Sequence, residues 1–421
     1  MPPVNGTDER EFLPEGKPYL RVQNVRPFDV VIESIVYVND DSGKITLQPD
    51  DILLTRKGTF GVAAIVQNNI TSYSISSEII LLRTNKSLPF NEDFLVAWLN
   101  TSLIQLYFDR RKTGAIMGHI TQDVVSSIPV PKIPLKTQEK LIATLDAARE
   151  HRRAKIAEAD ALLAGLDDYL LATLKLTPPP KDDRKAFAVR LVDIKGKQIG
   201  PNHYAPALQN YLKVLASSPY PTRPLHENVA VNPQVPFAQL ADDTPVSFVP
   251  MEAVEDKAAG GVTLTDKTLG EVKKGYTPFA DGDVIWAKIT PCMENGKSAI
   301  VRKLTNGIGF GSTEFHVLRP LNETVTAEYV HEFISQAALR KVATCAFTGS
   351  AGHRRVPAEF LQNLPMPVPP LTVQAAIAAE SRRRRETART LRAEADTLWH
   401  SAKQEFERQL LGSDLKPIPA T

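Results

Sequence analysis

Cysteine is nearly absent: Cys292 and Cys345 are the only two in 421 residues, and neither has a Cys-x-x-Cys partner. A disulfide framework is therefore not expected, and a reducing cytoplasm is the expected setting. The amino terminus has no basic stretch running into an apolar one, so export is not expected either. No run approaches the ~18 continuous apolar residues of a membrane span. Charge of one sign is missing too. Against 50 Lys and Arg stand 48 Asp and Glu, a net charge of +2, which neither demands nor excludes an anionic partner.

Catalytic motifs are also lacking, and the near misses fail for physical reasons. Gly296-Lys297-Ser298 has the ending of a phosphate loop, but Pro291 stands where the first glycine belongs, so the backbone amides would not converge on a phosphate. His331-Glu332 is followed by Ser335 where a second zinc-binding histidine would sit. Gly307-Ile-Gly309-Phe-Gly311 lacks dinucleotide spacing and leads into a strand, which predicts a β-turn or bulge. No Asn-Pro-Pro-Tyr or Asp-Pro-Pro-Tyr motif of base-directed methyltransferases occurs.

What the chain has is a duplication. Ile128 to Leu174 reappears as Leu364 to Leu410 at one offset, since 364 − 128 and 410 − 174 both give 236. Ile128-Pro-Val-Pro-Lys-Ile-Pro-Leu with Gln138 lines up with Leu364-Pro-Met-Pro-Val-Pro-Pro-Leu with Gln374. A prolyl elbow feeding a long helix, used twice, predicts a pseudo-two-fold arrangement. The 32 prolines, among them Pro178-Pro179-Pro180, separate helices from globular parts. The expected order is a first module over 1–131, a spacer helix and linker over 132–180, a second module over 181–370, a second spacer helix over 371–412 and a tail over 413–421.

Within the modules the repeat is looser. Asp51-Ile-Leu-Leu-Thr-Arg-Lys-Gly resembles Asp283-Val-Ile-Trp-Ala-Lys-Ile-Thr, and Ser77-Glu-Ile-Ile-Leu-Leu-Arg83 resembles Thr313-Glu-Phe-His-Val-Leu-Arg319. Each pair of strands leads to one helical stretch, Asp93 to Arg110 with Phe94, Leu95, Trp98, Leu99 and Leu103 inward, and Ala327 to Val342 with Tyr329, Val330, Phe333 and Ile334 inward. Glycine turns follow, ending at His119 and His353, which are placed as equivalent and read as turn histidines or phosphate contacts rather than bases. Such modules are α+β.

Matching Pro18-Tyr-Leu-Arg-Val to Pro245-Val-Ser-Phe-Val sets an offset of 227 and leaves Phe187 to His226 without a first-module counterpart. Either the first module is short, or its first sheet is incomplete.

In the first long helix Leu141, Leu145, Ala148, Arg152, Lys155, Ala159, Leu163, Leu166 and Leu170 follow steps of four and three, a heptad seam. Adding 236 gives Ile377, Ser381, Arg384, Ala388, Leu391, Ala395, Trp399, Ala402 and Phe406. Antiparallel pairing of the two would make a spacer that acts as a ruler between the modules; an intermolecular coiled coil is the alternative. Arg382-Arg-Arg-Arg385 is read as a solvated or partner-facing run.

With these motifs in tandem, the sequence resembles the specificity subunits of type I restriction-modification systems. The resemblance rests on Asp51-Ile-Leu-Leu-Thr-Arg-Lys-Gly-Thr-Phe-Gly61, on both elbows, and on the order module, helix, module, helix. It implies two α+β DNA target-recognition domains, each reading half of a split duplex sequence, joined by two long antiparallel coiled-coil helices. It also implies no catalysis and no cofactor in this chain. Two methyltransferase (modification) subunits using S-adenosylmethionine, and restriction/translocase subunits using ATP and Mg, would be its partners.

Base edges specify and phosphates position, so exposed polar residues that break an apolar strand are the candidates for DNA contact. These are Arg56, Lys57 and Thr59 in the first module and Lys288, Thr290 and Asn295 in the second. Arg110, Arg111, Lys112 and His119, with His353, Arg354 and Arg355, are candidate backbone clamps. Cys292-Met-Glu-Asn replaces Thr59-Phe-Gly, so the two loops should differ in shape and target. A single-chain restriction-methylation enzyme fragment and a protein-binding coiled-coil adaptor stay open as rival readings.

Overall fold

The computed structural model describes residues 2–39, 45–85, 87, 89–114, 118–178, 184, 186–190, 201–350 and 353–412. The tips of both glycine turns (115–117 and 351–352), Pro179, Pro180, residues 191–200 and the tail over 413–421 lie outside the described residues. The chain forms two compact units, Met1–Ala154 with Glu394–Thr421, and Lys155–Ala393. Each unit takes in a part of both long helices, Leu135–Thr173 and Leu371–Leu411.

In the first unit Ile52–Thr55 lies between Ile79–Leu82 and Ala63–Ile65, all antiparallel, with Val4–Asn5 at the outer edge of Ile79–Leu82. Side chains alternate across a strand, which sorts the core into two layers. Ile52, Leu54, Ala63 and Ile80 pack with Phe94, Trp98 and Phe108 of the helices. Leu53, Ala64, Ile79 and Leu81 pack with Leu20, Ile70 and Ile75, from the side of a smaller sheet ordered Val36–Val38, Lys17–Leu20, Ser74–Ile75. Both faces are covered, so the central strand reads Ile-Leu-Leu-Thr with no polar alternation.

The second unit repeats this plan. Val284–Ala287 lies between Phe315–Pro320 and Ser298–Ile300, with Val229–Val231 at the edge. Val284 and Trp286 join the helical core with Tyr329 and Phe333, while Ile285, Ala287 and Val317 join Val249 and Phe279. The registers Ile52↔Leu82 and Val284↔Leu318 fix the equivalence, at offsets of 284 − 52 = 232 and 318 − 82 = 236. Arg83 grips Asp51 with two hydrogen bonds of 2.6 Å, and Arg319 grips Asp283 with two of 2.7 Å. Both carboxylates are 1% exposed, so this pair is a buried brace common to the two units.

Three expectations need correction. Each stretch expected as one helix is two, Glu92–Leu99 with Ser102–Arg111, and Ala327–Ile334 with Ala337–Ala343. Asn100 breaks the first because its side chain bonds both the N–H and the carbonyl of Ala63, and Thr101 then caps the next helix at Ile104. Leu103 is consequently 37% exposed, not inward.

The strand match at offset 227 slips by two: the bonds Ser76 N–H to Leu20 and Ser312 N–H to Val249 equate Leu20 with Val249, an offset of 249 − 20 = 229. The first sheet has all four strands, in the second unit's order. The second unit's additional front residues contribute helix Pro206–Ala216, whose Leu208, Tyr211 and Leu215 enter the core.

Most of the heptad seam positions are buried, and Arg152, Lys155, Leu163, Arg384, Leu391, Trp399 and Ala402 are half-buried. Leu141, Leu145, Ala148 and Phe406 are buried in the first unit, and Ala159, Leu166, Leu170, Ile377, Ser381 and Ala388 in the second. Within the second unit Arg392 meets Asp160 at 2.6 Å and Arg384 donates to the Gly165 carbonyl at 2.6 Å, so partner numbers fall as the first helix rises and the pairing is antiparallel. In the first unit Arg152 pairs with Asp396 at 3.1 Å.

Most of the arginine run is engaged inside the second unit. Arg383 and Arg384 pair with Glu380, and Arg385 forms a fork with Glu332. Gly307-Ile-Gly309-Phe-Gly311 becomes a tight turn and the strand Ile308–Gly311.

Candidate nucleic-acid interface

In each unit a basic residue follows the central strand and is fixed by its backbone. Arg56 donates its N–H to Glu78 and accepts from Ile120, and Lys288 donates to Glu314 and accepts from Val356. Isolated β-bridges cross this point. Lys57 and Thr113 both pair with His119, whereas Ile289 and Thr348 both pair with Arg355. The equivalent of His119 is thus Arg355, at the helices' own offset of 355 − 119 = 236, and not His353 as its residue type suggests. Each corner holds a basic residue after the strand, the glutamate just before the neighbouring strand, and His119 or Arg355 at the bridges.

In the first unit Arg56 is half-buried, and its Nε has no hydrogen-bond partner among the described residues. Lys57 and Thr59 are exposed on the hairpin over 56–62. Lys112 reaches that hairpin, with Nζ 5.5 Å over the Phe60 ring and 2.5 Å from Asp109. The His119 imidazole Nε2 lies 3.0 Å from the Thr113 hydroxyl. Arg110 and Arg111 are exposed in the last turn of Ser102–Arg111, where cations suit the helix dipole, and Arg111 stacks 5.1 Å from the Tyr107 ring. The predicted first-module residues therefore gather around the hairpin and the adjoining helix end.

In the second unit they divide. Lys288, Glu314, His353, Arg354 and Arg355 form one corner. Arg355 gives Nε to Glu314 Oε2 at 2.8 Å and Nη2 to Oε1 at 2.6 Å, and Nη1 to the His353 carbonyl at 2.9 Å. This contact holds the Glu314 carboxyl below the usual range and the guanidinium above its own. Burial pulls the Lys288 amine down, opposed by Glu314 and reinforced by Arg355. Lys288 lines a cleft of about 610 Å³ with Phe237, Thr277 and Phe315. Arg354 is exposed, and among the described residues it bonds through its carbonyl, to the Thr290 N–H at 3.0 Å. The Thr290 hydroxyl donates to Glu294.

Asn295 sits elsewhere. The second hairpin, 288–297 against 56–62, is three residues longer, and its far end folds back so that the Asn295 carbonyl accepts from Lys257 at 2.6 Å. There it lines a cavity of about 480 Å³ with Asp160, Asp167, Arg340 and Arg385.

Beneath the corner His316 is 4% exposed, and burial lowers its pKa to about 4, so it is neutral. Its Nε2 lies 2.8 Å from the Val356 carbonyl, which can only accept, and so the proton is on Nε2. Nδ1 then accepts from Asn232 at 3.1 Å. The ring stacks on Trp286 at 6.4 Å.

Sequence reasoning missed Glu78 and Glu314, although both appear in the repeated fragments. Their signal is Ser76-x-Glu78 and Ser312-x-Glu314, where each serine hydroxyl accepts from the glutamate N–H at 3.2 Å. Among the described residues no group of three His, Cys, Asp or Glu could hold a metal, and no helix is long and apolar enough to cross a membrane.

The chain is 42% identical over 153 residues to the type I restriction enzyme EcoEI specificity subunit of Escherichia coli, covering 36% of this chain and 25% of that one. It is 42% identical over 144 residues to the EcoAI specificity subunit of the same organism, covering 34% and 24%. The chain resembles type I restriction specificity subunits.

The match spans about a quarter of the length of these relatives. A solved chain described under complex assembly and conformational transition of the type I R-M system shares the fold, with a TM-score of 0.51 and 16% identity over 95% of this chain and 92% of that one. No family model matches the chain.

Proposed function

We propose that this chain is the DNA sequence-specificity subunit of a type I restriction-modification complex, reading a bipartite duplex target and carrying out no chemistry itself. The observation that carries the reading is the 42% identity to the EcoEI specificity subunit. The repeated corner supports it, since a split target needs two readers. The modules are assigned to 1–131 and 181–370, and the spacers to 132–180 and 371–412. Arg56, Lys57, Thr59, Lys112 and His119, with Arg110 and Arg111 beside them, meet DNA in one half. Lys288, Thr290, His353, Arg354 and Arg355 do so in the other, and Asn295 is the least well placed of the predicted residues.

On this reading the partners are double-stranded DNA, two methyltransferase subunits and restriction/translocase subunits, in the cytoplasm. S-adenosylmethionine, ATP and Mg belong to those partners, and the chain takes no cofactor. Methylation mapping of host DNA with and without the chain tests this. A split motif carrying a methylated base should appear only with the chain, and an identical methylation pattern in both strains sinks the reading.

A further inference from the structure

Arg355 is an unusual cation for a DNA-facing surface because it is already paired. A guanidinium has five N–H donors, of which Glu314 takes two and the His353 carbonyl one. Five minus three leaves two, one on each terminal nitrogen, on a side chain that is 41% exposed. The carboxylate cancels most of the attraction toward a phosphate and fixes the plane of the fork. Charge is lost and direction is gained. Arg354 next to it has the opposite character, exposed and with its side chain unpaired among the described residues.

We infer that Arg355 reads a guanine in the second half of the target, and that Glu314 is the positioning residue that aims it. The inference rests on the proposed reading of the chain as a DNA-specificity subunit. Two remaining donors, one on each terminal nitrogen of a plane fixed by Glu314, call for two acceptors side by side. In the major groove guanine alone offers this, at N7 and O6, while adenine pairs an acceptor with a donor, cytosine offers a donor, and thymine offers one acceptor beside a methyl group. Glu314 cannot itself accept from cytosine along its paired edge, because both oxygens hold Arg355.

The first unit lacks the device. His119 stands at this place, with Nε2 on Thr113, and an imidazole cannot present two parallel donors. The carboxylate-aimed fork therefore belongs to the second half-site.

The test is selection of bound duplexes from a random library by the full-length chain, followed by affinity measurements across a salt series. The wild type should select a guanine at one position of one half-site. Arg355→Ala combined with Glu314→Gln, which strands no carboxylate, should lower that preference by about tenfold or more, leaving the other positions and the salt slope unchanged. Arg355→Lys keeps the charge but not the fork, and should lose the same preference; it decides the matter if the alanine variant fails to fold. Glu314→Gln should weaken the preference at that position and at no other.

A uniform loss across all sequences, with the salt slope reduced by about one, makes Arg355 a phosphate contact and overturns the inference. An unchanged guanine preference in Glu314→Gln overturns the positioning role. Should the wild type show neither selection nor salt-dependent binding, the proposed function falls and this inference with it. Normal wild-type selection with indifferent Arg355 variants removes the inference alone.

Discussion

Gln138 and Gln374 make the same three hydrogen bonds. Gln138 accepts from the Asn91 N–H at 2.9 Å and donates to the Pro89 and Ile133 carbonyls, while Gln374 accepts from the Thr326 N–H at 2.9 Å and donates to the Thr324 and Pro369 carbonyls. Both are wholly buried, so each ties the start of a long helix to the segment that leads into its module's helices.

Truncating either glutamine should leave three backbone groups without partners. Gln374→Ala is expected to cost about 2–4 kcal/mol, read from chemical denaturation, because unsatisfied buried groups carry their full desolvation penalty. A loss below ~0.5 kcal/mol would mean that water replaces the amide.

A second buried joint links Arg385 on the long helix to Glu332, which are 12% and 8% exposed. Removing one partner strands the other's charge, so Arg385→Met should destabilise by about 3–5 kcal/mol, and adding Glu332→Gln should recover part of the loss. A double variant no better than the single one would refute the coupling.

Acid should act in two windows. His316 has a folded pKa of about 4, below the ordinary 6.5, so its contribution is complete above pH 6.5 and is lost as pH falls toward 4. Glu332 is pushed up by burial, but the His331 hydrogen bond and Arg385 hold it at about 2, so its contribution is complete above pH 4.5 and is lost as pH falls toward 2. Melting temperatures across pH should show both limbs. His316→Gln should flatten the upper limb and leave the lower one.

Gly309 is set by packing, not by nucleotide binding. A Cβ there would lie 2.1 Å from the Phe279 ring, which is fully buried. Gly309→Ala should therefore destabilise by about 1–3 kcal/mol, as overpacking does, and an unchanged denaturation midpoint would contradict this.

Arg354 carries the phosphate prediction. Arg354→Ala should weaken binding to every duplex alike and lower the log-log salt slope by about one. A loss confined to particular sequences would strike it from the backbone contacts.

The sequence made the long helices legible because a single offset of 236 runs through them and their apolar seam keeps its spacing. The strands at Asp51 and Asp283 were legible because their residue pattern recurs, at an offset of 283 − 51 = 232, and their buried brace explains why Asp and Arg recur at fixed places. The helix break at Asn100 was not legible, since its cause is a hydrogen bond to Ala63 on another strand. Nor was the two-residue slip of Leu20 against Val249, because a shift of two keeps every side chain on its own face. At the candidate interface, matching histidine to histidine misplaced His119, whereas the β-bridges set it against Arg355. Asn295 left its expected group because hairpin length, not residue type, decides where a loop tip goes.

The longer hairpin over 288–297 has one more consequence. It carries the offset from 284 − 52 = 232 on the strand before it to 300 − 65 = 235 on the strand after it, and by Ser312 the offset from Ser76 is 312 − 76 = 236, where the glutamate two residues on is held as in the other copy. Most of the length change thus sits within the finger. A change of length at this tip leaves the strands on either side of it in register.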